Sequence, residues 1–471
     1  MIAIIACITC ITGIGNLLAG LLTVCIPVIA VDLEIPPALQ LWPTATFALA
    51  CGCTLLPSGA AVDVLGCRRA CLFGGLLQAV SALGAGLAVT SAQLIVLRVM
   101  AGLAASFCLP GAVGVAAHVF PGNTNPRRRS IAFAAMDGGL AVGFGLGLAL
   151  GGVFSDTVGW RWGYYSTALL NGAVLAMALW TLPREIDGET LEPALLSRLA
   201  RDVDWYKLAV ATGSDAMRSM YEPLNIVLLC TALTLIPVFG FWMRRQARLN
   251  LPALIPNPLW ANLPFTAVCV TVFLVWGTLN ASEQLTALYL QDVRGTSVLT
   301  TSLYFMPAPI CGLIMNIAIG ALLPHLQSSI AVPACCLASG IAPLLLATLC
   351  RVDGPGYWGG IFQAMALNSL GADLIYTIAN LVMTAAFPPK MQALAGGVFN
   401  MLAQIGKSVG IATSAAIARQ ITVQTDNGAD KEALLSGYSA AWWYNFSLGF
   451  VSVAVSFLGL RGVGKLEVKR D

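Results

Sequence analysis

Apolar stretches long enough to cross a bilayer recur along almost the whole chain, and they restrict its fold more than any other feature. They read approximately as 3–30, 40–62, 70–88, 91–119, 131–154, 163–182, 223–243, 263–290, 297–322, 329–349, 357–387, 392–420 and 439–461, about thirteen in all. At 1.5 Å per residue, about twenty residues cross roughly 30 Å of hydrocarbon. Lipid offers no partner to a backbone N–H or C=O, so each segment is expected as a helix; the short alternating strands of a membrane barrel are absent. Only 10% of the 471 residues are charged and 58% are hydrophobic, whereas soluble chains carry about a quarter charged residues. The balance of 25 Lys/Arg against 22 Asp/Glu gives no surplus of charge for nucleic acid. The chain therefore reads as an all-α polytopic membrane protein embedded in a lipid bilayer. A soluble enzyme, a secreted disulfide domain and a disordered regulator are excluded.

The fourteen cysteines are scattered, for example Cys7, Cys25, Cys108, Cys230 and Cys269, and there are only two histidines, His118 and His325. No Cys/His cluster has zinc spacing, so no metal or other cofactor is expected. Cys7-x-x-Cys10 and Cys51-x-Cys53 read as small apolar packing residues. The N-terminal apolar stretch runs to Asp32 without a basic leader, too long for a cleavable signal, and reads as the first span.

Charge orients the spans. With the N-terminus inside, the inner loops receive Arg68 and Arg69, then Arg127, Arg128 and Arg129, then Arg184, Arg198 and Arg201. Further along come Arg244, Arg245 and Arg248, then Lys390, then Arg461, Lys465, Lys469 and Arg470. The outer connections carry only Arg161, Arg294, Arg351 and Lys431, a positive-inside asymmetry. One conflict remains: the basic groups before and after 223–243 both want the inside, although a single apolar segment separates them. Residues 202–222 hold an uncharged run of only Leu208 to Ser214, too short to cross. Either this stretch lies on the membrane, or 223–243 does not span, or part of a span is missing; the last fits best.

Several patterns carry chemistry. After the second span comes Gly59-x-x-x-Asp63-x-x-Gly66-x-Arg68-Arg69: glycines for a tight turn and close helix approach, an acid that can face a helix N-terminus, and two anchoring arginines. The fourth span contains Arg98, about 10 Å from the outer end. A charge at that depth turns toward a partner or cavity, or snorkels outward. In the fifth span Gly139, Gly143, Gly147 and Gly151 recur every fourth residue, with Gly152 beside the last. Such a stripe permits very close helix packing. Trp160-Arg161-Trp162 enters the sixth span as an interfacial anchor. Gly406-Lys407-Ser408 is not a phosphate loop, because the position of the earlier glycine is Met401.

Together these motifs resemble the major facilitator superfamily. The loop after the second span matches its inner-gate signature, and Gly143-x-x-x-Gly147-Leu148-x-x-Gly151-Gly152 is similar to the antiporter signature of its drug exporters, with Leu148 where those have proline. The resemblance extends from about Asn16 to Leu460 and is nearest to the fourteen-span drug:proton antiporters. It implies two six-helix bundles about a central cavity, joined by a central insert: 1–182 and 263–461 as bundles, 183–262 as the cytoplasmic loop and insert, and 462–471 as a cytoplasmic tail. The chain departs from the family by a shortened central pair. In the first span, Leu18 and Gly20 stand where the family has an acid and a threonine.

Arginine stays charged, so Arg98 cannot itself load and release a proton. The intramembrane acids are Asp137, Glu283 and Asp373. Glu283 lies near the expected depth of Arg98, while Asp373 and Lys407 fall near the middle of their spans and could pair there. The proton-coupling candidates are thus Arg98, Glu283, Asp373 and Lys407; static helix ties are the alternative. Asn280, Gln284, Asn316, Gln363, Tyr376, Asn400 and Gln404 are candidates for a cavity lining, with interhelical hydrogen bonds as their other use. Such a lining suits an amphipathic organic molecule better than a sugar or an inorganic ion.

The expected function is export of drugs or amphipathic metabolites in exchange for protons by a multi-pass protein of the plasma membrane. It is expected as a monomer with both termini cytoplasmic if the central pair is complete. Nutrient uptake by the same fold, or a membrane sensor that does not transport, are the rivals; an enzyme is disfavoured because no constellation of nucleophile, base and metal ligands is visible.

Overall fold

The computed structural model describes residues 2–120, 126–183, 258–322, 328–354, 356–369, 375–376, 378, 389–425 and 431–461. At 63–64, 126–130, 258–259, 316–317, 319–322, 328 and 389–393 it describes the backbone alone. The central insert 184–257, with the span expected at 223–243, and the tail 462–471 lie outside the described residues.

The N-terminal half contains α1 (Ile2–Asp32), α2 (Trp42–Leu65), α3 (Cys67–Leu87), α4 (Ser91–Val119), α5 (Pro126–Thr157) and α6 (Arg161–Thr181). The C-terminal half contains α7 (Leu263–Leu288), α8 (Val298–Phe305), α9 (Pro307–Leu322), α10 (Ser328–Leu349), α11 (Ile361–Asn368), α12 (Pro389–Thr425) and α13 (Lys431–Leu460). Among the described residues, ten helical segments are long and apolar enough to cross a membrane. The sixth expected span is present as α6, but its Tyr164, Tyr165, Ser166, Thr167 and Asn171 lower its hydropathy below that of the ten. The expected span 297–322 is broken at Pro307, whose nitrogen cannot donate to the preceding turn, into α8 and α9. Of the expected span 357–387, little beyond α11 is described.

Local chemistry sets the helix ends. Gly66 adopts φ 93°, a backbone conformation open to glycine, and its N–H still closes α2 on Val62 O at 2.9 Å. α3 then starts at the next residue. Thr90 caps α4 by accepting from the Gln93 N–H at 3.3 Å, while Gln93 Oε1 accepts from Val89 N–H at 3.0 Å. This reciprocal pair satisfies donors that the first turn leaves free. Asn262 and Ser297 cap α7 and α8 in the same way.

The helices alternate in direction, so the molecule has two faces, named here for Asp32 and Gly66. In the first half α1 packs along α5 and also meets α4 and α6, α2 and α3 pack on α4, and α3 packs on α6. In the second, α7 packs on α12 and α13, and α10 packs on α13 and α11. The halves meet where α2 lies against α12, α5 against α8 and α9, and α1 against α7. The described ends flanking the insert lie together on the Gly66 face: Arg68, just after the α2–α3 turn, donates to Leu179 O near the end of α6 at 3.2 Å, and α7 begins beside Gly459 at the end of α13.

Candidate functional site

Arg98 sits on α4 with 1% of its surface exposed. Its Nε donates to Pro43 O at 3.3 Å and its guanidinium lies 4.7 Å over the Phe47 ring, both on α2. Gly102, one turn further along α4, makes this possible: a Cβ there would come within 2.4 Å of Phe47 O. The arginine therefore does not snorkel to the Asp32 face. Its Nη2 has no hydrogen-bond partner among the described residues, and the same holds for the hydroxyl of buried Tyr164 on α6, which lies in the field of Arg98. Since an arginine at a span centre costs about 2.5–3.5 kcal/mol on insertion scales, a bond to one carbonyl and a cation–π contact leave it incompletely compensated.

Across the interface, Glu283 on α7 is 5% exposed. It lies in the field of Lys407 on α12 and near Asn368 on α11, whose amide donates to Leu279 O at 3.3 Å. Lys407 in turn lies in the fields of Glu283 and of two groups from the first half, Arg98 and Cys51. Close packing of α2 on α12 brings them together; a Cβ at Gly52 would lie 2.9 Å from Ile405 Cγ1 and 3.2 Å from Gln404 Cβ. Lys407 thus lies in the fields of an acid of its own half and of a cation of the other, with no ion pair within 4 Å between Glu283 and Lys407. The sequence allowed Asp373 to meet Lys407; Asp373 lies outside the described residues, and among the described residues the acid whose field reaches Lys407 is Glu283.

The amide candidates divide. Gln284 is buried on α7 and its Nε2 donates to Thr23 Oγ1 on α1 at 2.8 Å, leaving Oε1 without a partner among the described residues. Gln404 Oε1, near Gly52, is likewise unpartnered. Asn280 and Asn400 donate to carbonyls of their own helices, Trp276 O at 2.9 Å and Gly396 O at 3.0 Å. Asn400 is also near Tyr376, which lies in the field of Asp137 from α5. Gln363 stands apart: it is exposed and donates to Trp358 O at 2.8 Å on the Asp32 face. The side chain of Asn316 lies outside the described residues. Thr23 and Tyr164 escaped the sequence reading, because scattered hydroxyls in α1 and α6 do not by themselves show which of them faces another helix.

The glycine stripe is an intramolecular seam. Gly139, Gly143, Gly147 and Gly151 all face α1; a Cβ at Gly143 would come within 2.3 Å of Gly13 O, and one at Gly147 within 2.0 Å of Leu17 O. Gly152, one position on and so about 100° around the helix, faces the other half, where a Cβ would lie 2.4 Å from Ser302 Oγ. In the loop signature, Gly59 has open space at its Cβ position, Arg69 donates to Leu65 O at 3.5 Å, and the Asp63 side chain lies outside the described residues. The aromatic pair also divides. Trp162 is exposed as an anchor would be, but Trp160 is buried and donates to Asp32 Oδ2 at 3.1 Å. Arg161 pairs with the same carboxylate and donates to Ala88 O, tying α1, α3 and α6 together. Among the described residues no cluster of three His, Cys, Asp or Glu could hold a metal ion.

The model of the Major Facilitator Superfamily matches residues 5–411. MFS-type transporter 1 of Pyricularia oryzae is 34% identical, over 98% of this chain and 84% of that one. A cephamycin export protein of Amycolatopsis lactamdurans is 27% identical, over 94% and 87%. A solved structure from work on proton-dependent oligopeptide transporters superposes with a TM-score of 0.71 at 14% identity, covering 97% of this chain and 98% of that one. The chain belongs to the Major Facilitator Superfamily. As a member of that family it is a multi-pass membrane carrier that works by alternating access, and not an enzyme.

Proposed function

We propose that this transporter exports amphipathic organic molecules in exchange for protons. The observation that carries the reading is the placement of Glu283 and Lys407 of the second half in one electrostatic neighbourhood with Arg98 of the first. With Glu283 ionised, its charge offsets the repulsion between Lys407 and Arg98 across the interface, and the halves stay together at that level. Protonation removes the offset, the two cations repel, and separation of the halves is favoured. Proton uptake is thereby linked to the rocking that exposes the pocket. Gln284, Gln404, Asn280 and Asn400, with Tyr376 and Phe399 at 5.6 Å between ring centres, offer the mixed polar and aromatic wall that an amphipathic molecule needs. Asn316 and Asp373 are candidates for the same wall and coupling path.

The orientation follows from charge. The Gly66 face is cytoplasmic, Gly59, Asp63, Gly66, Arg68 and Arg69 form its gate, and both termini lie on that side. Residues 1–182 and 263–461 are the two bundles, 183–262 the insert and 462–471 the tail; the carrier is a monomer in the plasma membrane. That a relative is called a cephamycin export protein supports the outward direction. The test is transport by proteoliposomes under an imposed pH gradient, using a panel of amphipathic organic probes. Gradient-driven flux is expected, with Glu283→Gln or Asp373→Asn uncoupling it. If both variants keep the wild-type dependence on the gradient, the proton mechanism is wrong.

A further inference from the structure

One cavity lies away from the interface between the halves. It sits at the Asp32 face, holds about 370 Å³ and is lined by Val293, Arg294, Val352, Asp353, Gly354 and Lys431, all of the second half. Arg294 is already engaged there, donating to Val352 O at 3.0 Å and to Gly354 O at 3.3 Å. Next to Val293 stands Asp292, exposed, in the π turn that ends α7 and is closed by the Arg294 N–H on Tyr289 O at 3.1 Å. Turns of this kind concentrate at functional sites.

Below Asp292, polar groups continue into the bundle along one face of α13. Tyr438, Trp442 and Asn445 stand at i, i+4 and i+7, about 10 Å of helix at 1.5 Å per residue. The Tyr438 hydroxyl donates to Asp292 Oδ2 at 3.4 Å. Deeper, Asn445 Nδ2 donates to Ser282 Oγ of α7 at 3.3 Å, and its Oδ1 accepts from Ser414 Oγ of α12 at 2.9 Å. These three have 0% of their surface exposed. Ser282 immediately precedes Glu283, and Ser414 follows Lys407 by seven residues, on the same face of α12. Between the outer and the inner group stands Trp442, itself 0% exposed, with its ring centre 6.4 Å from that of Tyr438 and 5.7 Å from that of Tyr289. Its Nε1 has no hydrogen-bond partner among the described residues. An indole N–H only donates and cannot pass a proton on, whereas the hydroxyls of Tyr438 and Ser282 both accept and donate. A buried donor without an acceptor is costly, and a water molecule is the ordinary remedy. The polar line from the cavity toward Glu283 is thus interrupted at one bulky ring.

We infer that the space between α7 and α13 is a proton port of the Asp32 face, loaded at Asp292 and Tyr438, leading to Glu283 and shut in this state by Trp442. The inference rests on the reading of Glu283 as the coupling acid and adds a route for protons separate from the cargo pocket. A proton passes from water to the Asp292 carboxylate and on through the Tyr438 hydroxyl. Once the Trp442 ring moves aside, water carries it to Ser282 and the Glu283 carboxylate; only O–H bonds are exchanged. Arg294, Asp353 and Lys431 set the charge around Asp292, and Lys407 that around Glu283. The closed ring keeps protons from crossing while Glu283 communicates with the other face.

The test needs no cargo: the full chain is reconstituted in vesicles holding a pH dye, and proton entry is followed after external acidification, with thermal unfolding in parallel. Trp442→Ala is expected to speed proton entry at least about tenfold, and the milder Trp442→Phe, which keeps a smaller ring in place, about two- to fivefold. Adding Asp292→Asn or Tyr438→Phe to either variant should return the rate to the wild-type level, and so should Glu283→Gln. No leak from either folded tryptophan variant would overturn the port. A leak that Asp292→Asn or Tyr438→Phe leaves intact would identify a nonspecific hole and overturn it as well. A leak stopped by both of these but not by Glu283→Gln would uphold the port and overturn Glu283 as the acid it serves.

Discussion

Gly147 of α5 and Leu17 of α1 are in backbone-to-backbone contact: a Cβ added to Gly147 would stand 2.0 Å from the Leu17 carbonyl oxygen. No rotamer relieves that clash, because the obstructing atom belongs to a helix backbone. Gly147→Val is therefore expected to destabilise the first half by at least about 1–3 kcal/mol. Gly138, with open space at its Cβ position, supplies the control, and Gly138→Ala should be neutral or slightly stabilising. Thermal unfolding of the two variants in detergent distinguishes them.

Arg98 is held by geometry that lysine cannot reproduce. A lysine ammonium can meet the Pro43 carbonyl but lacks the planar guanidinium that stacks on Phe47. Arg98→Lys is expected to lower transport about tenfold, corresponding to roughly 1.4 kcal/mol, within the range of a desolvated cation–π contact together with a hydrogen bond. Arg98→Ala should lower it further. Initial-rate transport in vesicles, normalised to folded protein, measures both.

The electrostatic reading of Glu283 and Lys407 predicts non-additivity. Glu283→Gln leaves the positive charges of Lys407 and Arg98 without their acidic neighbour, and Lys407→Gln leaves Glu283 with fewer cations. The double variant removes both mismatches. Its stability loss should be smaller than the sum of the single losses by about 0.5–3 kcal/mol. A double-mutant cycle by thermal unfolding reads this directly, and additive losses would show that the two groups do not communicate.

At the Asp32 face, the ion pair of Asp32 and Arg161 is 42% and 36% exposed, so solvent screens most of its charge interaction. Asp32→Asn should cost no more than about 1 kcal/mol. Its salt dependence should be weaker than that of the wild type, because the bond from Trp160 can persist to a neutral oxygen. Unfolding in low and high salt measures the difference.

Cys350, just past the end of α10, is buried, and that burial pushes its thiol up to about 12 despite the opposing effects of Tyr289 and Arg294. The thiolate is the reactive form and increases as pH approaches that value. Alkylation at pH 7.5 should leave Cys350 unmodified in the folded carrier, with labelling appearing on unfolding. Peptide mass mapping before and after denaturation checks it.

The bundle plan was legible in the sequence because lipid permits few alternatives to a long apolar helix, and the loop and glycine motifs identified the family. Spacing along a helix also placed Arg98 and Glu283 at similar depth. Partners across helices were harder. Lys407 could be assigned to the membrane interior, but its placement in the field of Glu283 depended on the rotation of α7 and α12, which almost uniformly apolar sequences do not encode. Trp160 shows the same limit: it read as a lipid anchor, yet the chain turns it inward onto Asp32. The break at Pro307 was not read from the sequence, because a proline within a long apolar run is common in membrane helices.

Since α5 wears two seams offset by one position, its register is fixed twice over. A single residue inserted near Leu140 would rotate the remainder of the helix by about 100°, swinging the glycine stripe away from α1 and Gly152 away from α8 together. Point substitutions can tune either surface separately, but length variation within α5 would damage both the foundation of the first bundle and the contact between bundles. Homologous carriers should accordingly accept insertions in the loops on either side of this helix and reject them inside it.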